Sequence, residues 1–305
     1  MCVLHARLSL LRPSCRVDRA ATKKQGQKRP LSQELAVDSG EDSGPEKLFR
    51  FLRRPATHQK LLARWRRAMT DASPGPWEFW ELWSGSGNFT AAVMRAGGRV
   101  GPSVDILPCP VAGPGEMSVP RLMLDFEDDG DVEFLWWLLR EYCPRFVHVA
   151  PPSTFWGQLG RTSALRTQAE WARLRRHAVR HLKLAVMILR WQSERGGKGS
   201  LEQPPGSISW RLRRTEALLS QPGWRRFTWP SCVYGFRDDG CPYRKSQAFA
   251  SNVNLTTMLS KCSCGSSCRL ARGATRTLNS QKYCMYPPAM CSKLADIILR
   301  GGRSP

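Results

Sequence analysis

Five short apolar runs organise the central part of this chain, and helix-like segments separate most of them. The runs are "WEFWELW" (77–83), "GRVGPSVDI" (98–106), "RLMLDF" (121–126), "RFVHVA" (145–150) and "GSLEQP" (199–204). Most stop at a glycine, a proline or an acidic residue. Between them, 88–97, "DVEFLWWLLREY" and a long stretch from Thr167 to Ser193 have helical character. Strands that alternate with helices predict an α/β fold, a Rossmann-like parallel sheet with helices on both faces. After about residue 225 the character changes. "RRFTWPSCVYGF" and "KSQAFASNV" read as two strands joined by a turn containing "DDGCP". A Cys-rich loop and a helix over 287–300 follow, so a small C-terminal hairpin and Cys-rich extension are expected.

The rest of the chain divides by composition. Residues 1–45 are poor in large apolar side chains and are expected to form a disordered basic tail. Residues 46–76 read as a basic helical linker broken at Pro55, residues 77–225 as the main domain, and 226–305 as its completion. The first 17 residues contain no acid. They read either as a tail or as a weak targeting segment. Lys23-Lys24 and Lys28-Arg29 are short basic pairs of the kind found in nuclear import signals, so a nuclear or cytoplasmic location is expected. No window approaches 18 consecutive apolar residues, and no membrane partner is expected. The net charge is +22, from 47 basic and 25 acidic residues. Such an excess favours a polyanionic partner, nucleic acid (DNA or RNA) first. Eleven cysteines, an odd number without a secretory signal, point to reduced intracellular thiols.

The stretch "ELWSGSGNFT" carries the first candidate site. Ser84, Gly85, Gly87 and Asn88 stand between a predicted strand and a predicted helix. Small residues there let a ligand approach the backbone, and a helix N-terminus offers free N–H groups. The third glycine of the dinucleotide fingerprint is absent, and no Gly-Lys-Ser/Thr follows, so a phosphate cradle fits poorly. Asp105 lies 20 residues beyond Gly85, at the end of the second strand. An acid there can accept hydrogen bonds from both hydroxyls of a ribose; a helix cap or surface turn is the alternative. Asp125 ends the third predicted strand, where it can meet an adenine amino group or cap the following helix.

These segments resemble the motifs of cytosine-C5 methyltransferases, both DNA- and tRNA-directed. "WELWSGSGNFTAAVMRAGGRVGPSVDI" is similar to their first motifs, "VAPPSTFW" to their Pro-Pro-Cys loop and "LEQPPGSISW" to their Glu-Asn-Val or Glu-Asn-Pro segment. A closer resemblance is to methyltransferase-like proteins of mobile elements and large protist genomes, through "CVYGFRDDGCPYRKSQAFASN" (Cys232 to Asn252). The match spans about 77 to 255. It implies an S-adenosylmethionine-dependent methyltransferase sheet. Ser84, Gly85, Gly87 and Asn88 would lie against the cofactor, Asp105 at its ribose and Asp125 at its adenine. Pro151 and Pro152 would shape a rigid loop over the methyl group.

Methylation at cytosine C5 needs a thiolate that adds to C6 and an acid that hydrogen-bonds N3. The resemblance gives the second role to Glu202. It gives the first to the position after Pro151-Pro152, where this chain has Ser153. A serine hydroxyl is far less acidic than a thiol. Cys143 precedes its strand and belongs at the opposite end of the sheet, while nothing in the spacing requires Cys232 or Cys241 to enter. Three readings follow: lost chemistry with cofactor binding retained, methylation of another atom, or a decaying mobile-element gene. Gln203 replaces the family's usual Asn but can keep an amide contact. The expected function is therefore methyltransferase-like, with a catalytically silent cofactor- or nucleic-acid-binding relic as the alternative. A dinucleotide oxidoreductase would explain neither Pro151-Pro152 nor Glu202.

Basic side chains are the candidate substrate contacts. Arg161 and Arg166 lie in the loop after Pro152, and Arg244 and Lys245 in "PYRK". The long helix carries Trp171, Leu174, Ala178, Leu182, Ala185 and Leu189 at core spacing. Arg173, Arg175, Arg176, Arg180 and Lys183 form its other face, either a solvated surface or a phosphate track. Cys262, Cys264 and Cys268 have no standard zinc spacing, and loop thiols without a metal are expected.

Overall fold

The computed structural model describes residues 63–69, 75–108, 118–156, 167–238, 241–265, 269–270 and 285–301. All lie in the unit Glu41–Pro305. The strands are β1 (Phe79–Leu82), β2 (Ser103–Asp105), β3 (Arg121–Met123), β4 (Phe146–Val149), β5 (Lys198–Gln203), β6 (Arg225–Pro230), β7 (Arg237–Asp238), β8 (Cys241–Arg244), β9 (Ser246–Ser251) and β10 (Arg269–Leu270). The helices are α1 (63–69), α2 (Asn88–Arg95), α3 (Asp129–Tyr142), α4 (Gln168–Glu194), α5 (Arg213–Leu219) and α6 (Pro288–Arg300). Seven strands form one sheet in the order β3-β2-β1-β4-β5-β9-β6. The first five are parallel, and β9 runs antiparallel to both neighbours. The expected Rossmann-like, largely parallel sheet with helices on both faces is present.

Each central strand alternates between two cores. On β1, Trp80 and Leu82 join the core under α3 and α4, while Phe79 joins the core under α2 and α6. On β4, Val147 and Val149 face the first core and Phe146 the second. Helices therefore cover both faces, as a largely parallel sheet requires. The helix ends follow local chemistry. Thr167 and Glu170 form a capping box that starts α4. Asp128 caps α3, with Asp129 and Asp131 in its first turn favoured by the helix dipole. Trp65 and Ala68 of α1 pack into the first core, where Trp65 meets Trp77 and Tyr142.

Two features escaped the sequence pattern. Between β6 and β9 the chain forms its own hairpin, β7 with β8, which β10 extends into a small second sheet. "DDGCP" therefore turns β7 into β8 and does not join β6 to β9. The seven-residue α5 was also unread, because a helix of two turns carries too few apolar positions to show a period.

The second face hides a polar row. Glu81 is paired in register with His148, His148 with Ser200, and Ser200 with Ser251. All four are buried. Glu81 Oε2 accepts from Thr90 N at 2.8 Å and Thr90 Oγ1 at 2.5 Å, whereas Oε1 has no hydrogen-bond partner. His148 Nδ1 meets Ser200 Oγ at 2.7 Å, and its Nε2 lies 3.2 Å from the Tyr286 hydroxyl. Burial pushes the Glu81 carboxyl up to about 7 and the His148 imidazole down to about 3. The Glu81 contribution to stability is full below its ordinary value of 4.5 and is lost as pH rises through about 7. His148 acts oppositely, losing stability as pH falls from 6.5 toward about 3. Glu81→Gln removes only the first effect. Its melting temperature relative to the unsubstituted protein should therefore rise by a few degrees between about pH 5 and about pH 8, as roughly 1 kcal/mol produces in a domain of this size. Parallel pH profiles in thermal melts would contradict the buried-carboxyl account.

Candidate active site

In the order β3-β2-β1-β4-β5 the strand sequence reverses between β1 and β4. The chain leaves β1 for α2 on one face and β4 for α4 on the other, which opens a crevice at their carboxyl ends. Ligands of open α/β sheets bind at such a switch point. The glycine turn forms one wall and the Pro-Pro loop the other.

Trp83, Gly85 and Gly87 all have left-handed backbones, with φ of 54°, 54° and 73°. At Gly87, the N-cap of α2, a side chain would also approach Val119 Cγ1 to 3.2 Å. No side chain caps α2. Ser84 N and Oγ both donate to Val104 O. Asp105 reaches back across this turn, its Oδ2 accepting from Gly85 N at 2.8 Å and its Oδ1 from Leu107 N at 3.2 Å. Ser84, Gly85, Gly87 and Asp105 thus come together at one turn. Asn88 Nδ2 donates to Tyr286 O at 3.1 Å, which ties the start of α2 to the segment before α6.

Asp125 lies two residues past β3, half-buried, with Oδ1 accepting from Glu127 N at 2.9 Å. It does not cap α3, since Asp128 has that role. Beside Asp105, Ile106 and Leu107 are 57% and 60% exposed, an apolar surface next to a carboxylate.

Sequence reasoning missed Arg121 and Trp83. Arg121 starts β3, yet its guanidinium donates to Ser84 Oγ at 2.9 Å and Gly85 O at 2.5 Å, and lies 3.9 Å from Asp105. A side chain that crosses β2 leaves no periodic signal. Trp83 stacks edge-on against Phe126 and donates from Nε1 to His181 Nδ1 at 2.8 Å. Because His181 Nδ1 accepts, its Nε2 carries the proton and donates to Glu127 Oε1 at 3.0 Å. Burial first, then neighbouring His177, push His181 down to about 4. Glu127, His177 and His181 bring their ligand atoms within 4.8 Å of one another. Their mutual hydrogen bonds already account for this arrangement, and the Arg180 guanidinium 3.9 Å from Glu127 opposes a cation there.

On the other wall, Ala150 N still donates to Leu82 O at 3.2 Å before Pro151 and Pro152 end the ladder. Gln203 holds the loop. Its Nε2 donates to Pro151 O at 2.6 Å, and its Oε1 accepts from Ser207 Oγ and Ser209 Oγ at 3.4 and 3.3 Å. Ser153 O accepts from Trp156 N, and Trp156 O from Ile208 N. The segments read as two motifs, one around Pro151 and one around Glu202, are thus one hydrogen-bonded unit.

Glu202 is half-buried on β5, facing away from Gln203. Dense surroundings push its carboxyl up to about 7, with Lys245 acting in the opposite direction. Lys245 thus lies near enough to Glu202 to act on its charge. Arg161 and Arg166 lie outside the described residues, as does the side chain of Arg244. On α4, Arg173 and Arg176 are exposed, whereas Arg180 donates to Phe126 O and Asp129.

Gln203→Leu leaves the Pro151 carbonyl and two buried serine hydroxyls short of a partner. It should lower unfolding free energy by about 1–3 kcal/mol in denaturant melts. An unchanged midpoint would mean that the loop is held by other contacts.

No family model matches the chain, and no curated protein matches its sequence. Among solved structures it is similar to the Dnmt2 methyltransferase of S. pombe, at 11% identity and a TM-score of 0.36, over 57% of this chain and 48% of that one. It is also similar to a prophage-encoded protein of E. coli assigned as a DNA modification methyltransferase, at 14% identity and a TM-score of 0.34, over 60% of this chain and 48% of that one. The chain spans about half the length of either.

Proposed function

We propose that the crevice between β1 and β4 binds S-adenosylmethionine, and that the chain is a methyltransferase-like protein acting on nucleic acid. One observation carries this reading: Asp105 bridges from the end of β2 to Gly85 N in the left-handed turn after β1. An acid, a glycine turn and an uncapped helix N-terminus converge at the switch point of the sheet.

The donor set fits the cofactor. Asp105 retains lone pairs for ribose hydroxyls after accepting two backbone N–H groups. Exposed Ile106 and Leu107 suit the face of a purine, and half-buried Asp125 suits its amino group. Gly85 leaves open space where a side chain would stand. The cofactor supplies an electrophilic methyl group on a sulfonium. Arg121 holds the turn from behind, through Ser84 and Gly85. Gln203 fixes Pro151, and through it Pro152 and Ser153, at the opposite wall.

Glu202 can hold a proton near neutral pH because its carboxyl is pushed up to about 7. That is the state needed to donate a hydrogen bond to a ring nitrogen. Ser153 is the weak point for C5 chemistry. His148 is engaged with Ser200 and Tyr286, and His181 with Trp83 and Glu127, so neither is placed to take the serine proton. This favours a second reading, a cofactor- or nucleic-acid-binding protein without C5 activity. For the partner, the support is the charge of +22, the exposed Arg173 and Arg176, and Lys245 beside Glu202.

Calorimetric titration of S-adenosylmethionine should give one site, lost in Asp105→Ala. No binding at millimolar ligand by folded protein would sink the proposal. With labelled cofactor and a mixed DNA and RNA panel, the unsubstituted protein should leave cytosine C5 unmethylated and Ser153→Cys should methylate it. Label at C5 from the unsubstituted protein would overturn the role given to Ser153.

A further inference from the structure

Cys232 lies in the 3-10 turn Ser231–Tyr234 that follows β6, and is buried. Cys262 and Cys264 lie on the stretch after a second such turn, Thr256–Met258, and are half-buried. Although 30 residues separate them in sequence, Cys232 Sγ and Cys262 Sγ are 3.4 Å apart. The three sulfurs of Cys232, Cys262 and Cys264 all lie within 4.8 Å of one another. A disulfide needs about 2.05 Å, so the first pair is not bonded. Four sulfurs around zinc, each about 2.3 Å from the metal, stand ~3.8 Å apart along the edges of a tetrahedron. The observed spacing brackets that edge.

We propose that Cys232, Cys262 and Cys264 bind one zinc ion as three thiolates. Each thiol loses its proton to solvent as a zinc–sulfur bond forms, and nothing is oxidised or reduced. An all-sulfur set selects a soft or borderline ion over magnesium or calcium. The two segments are already tied together beside the site, because the Tyr234 hydroxyl donates to Met258 O at 2.6 Å. The half-buried Cys262 and Cys264 leave a way in from solvent. In the sequence, Cys262, Cys264 and Cys268 have no standard zinc spacing, and loop thiols without a metal are expected. Cys268 lies outside the described residues, and the remote Cys232 joins the other two only through the path of the chain.

The ion would brace the substrate side of the sheet. Cys262 lines a groove of about 470 Å³ with Thr228, Trp229, Pro230, Ser246 and Lys261. Ser231, next to Cys232, donates from N to Lys245 O at 2.9 Å, and Lys245 is the cation that acts on Glu202. A zinc clip at Cys232 thus fixes the turn that is hydrogen-bonded to the backbone of this lysine. The zinc site itself does not depend on the proposed cofactor.

The test uses the full chain, purified with reductant and zinc and then desalted. Plasma mass spectrometry should find one zinc per chain. Cobalt in its place should give thiolate-to-metal charge transfer and tetrahedral d–d bands. Cys232→Ser and Cys264→Ser should each lose the ion and the bands, while Cys143→Ser, exposed at the far end of β4, should keep them. If Cys232→Ser fails to fold, Cys264→Ser decides the matter. Metal-free protein, zinc retained in Cys264→Ser, or a Cys232–Cys262 disulfide in non-reducing peptide maps would each overturn the site.

Discussion

Because β1 and β4 are buried on both faces, the polar groups they carry can be satisfied only inside the protein, and all but Glu81 Oε1 are. An unpaired one would cost on the order of 1–3 kcal/mol. That constraint shapes the floor of the crevice. Glu81 spends one oxygen on Thr90, so the strand before the glycine turn is tied to the helix after it. His148 is held between Ser200 and Tyr286, which links β4 to β5 and to the segment leading into α6. Gln203 does the same work at the end of β5 for the proline loop. The loops at the carboxyl ends are positioned by these internal bonds, and the walls of a binding site gain their rigidity from a requirement of burial.

The same logic explains the asymmetry of the crevice. The wall built on the glycine turn is acidic at Asp105 and Asp125, with Arg121 inserted behind the turn as an internal counter-charge. The opposite side has a carboxyl, Glu202, whose charge is influenced by Lys245, just before the antiparallel β9. Strand β9 makes this possible. By running against β5 it begins at the carboxyl end of that strand, where a parallel strand would have ended. The connection from β6 into β9 leaves β6 at this same end of the sheet and carries Cys232, while Cys262 and Cys264 follow β9.

Much of this was legible beforehand. The β1 turn, Asp105, the proline loop and Glu202 are each read within a few residues of chain, because strand ends, glycine turns and prolines act locally. The core face of α4 was legible too, since Ala178, Leu182, Ala185 and Leu189 share one side of a long helix and all are buried. Arg180 was read as part of a solvated face or a phosphate track, but it donates to Asp129, on a segment some 51 residues away. Periodicity places a side chain on a face; it does not say what another segment will bring to that face.

The sequence by itself determined the layered α/β plan and the candidate residues at the ends of its strands, because strand and helix periods and turn chemistry are properties of short stretches. Only the tertiary structure decided which of those residues meet. It placed Asp105 on Gly85, Gln203 on Pro151, Lys245 near Glu202, and Cys232 beside Cys262. Each of these pairs is separated by 20 to 52 residues of chain. Distances across such separations are set by strand order and register, which depend on how two hydrophobic cores close around a sheet and which no local pattern records.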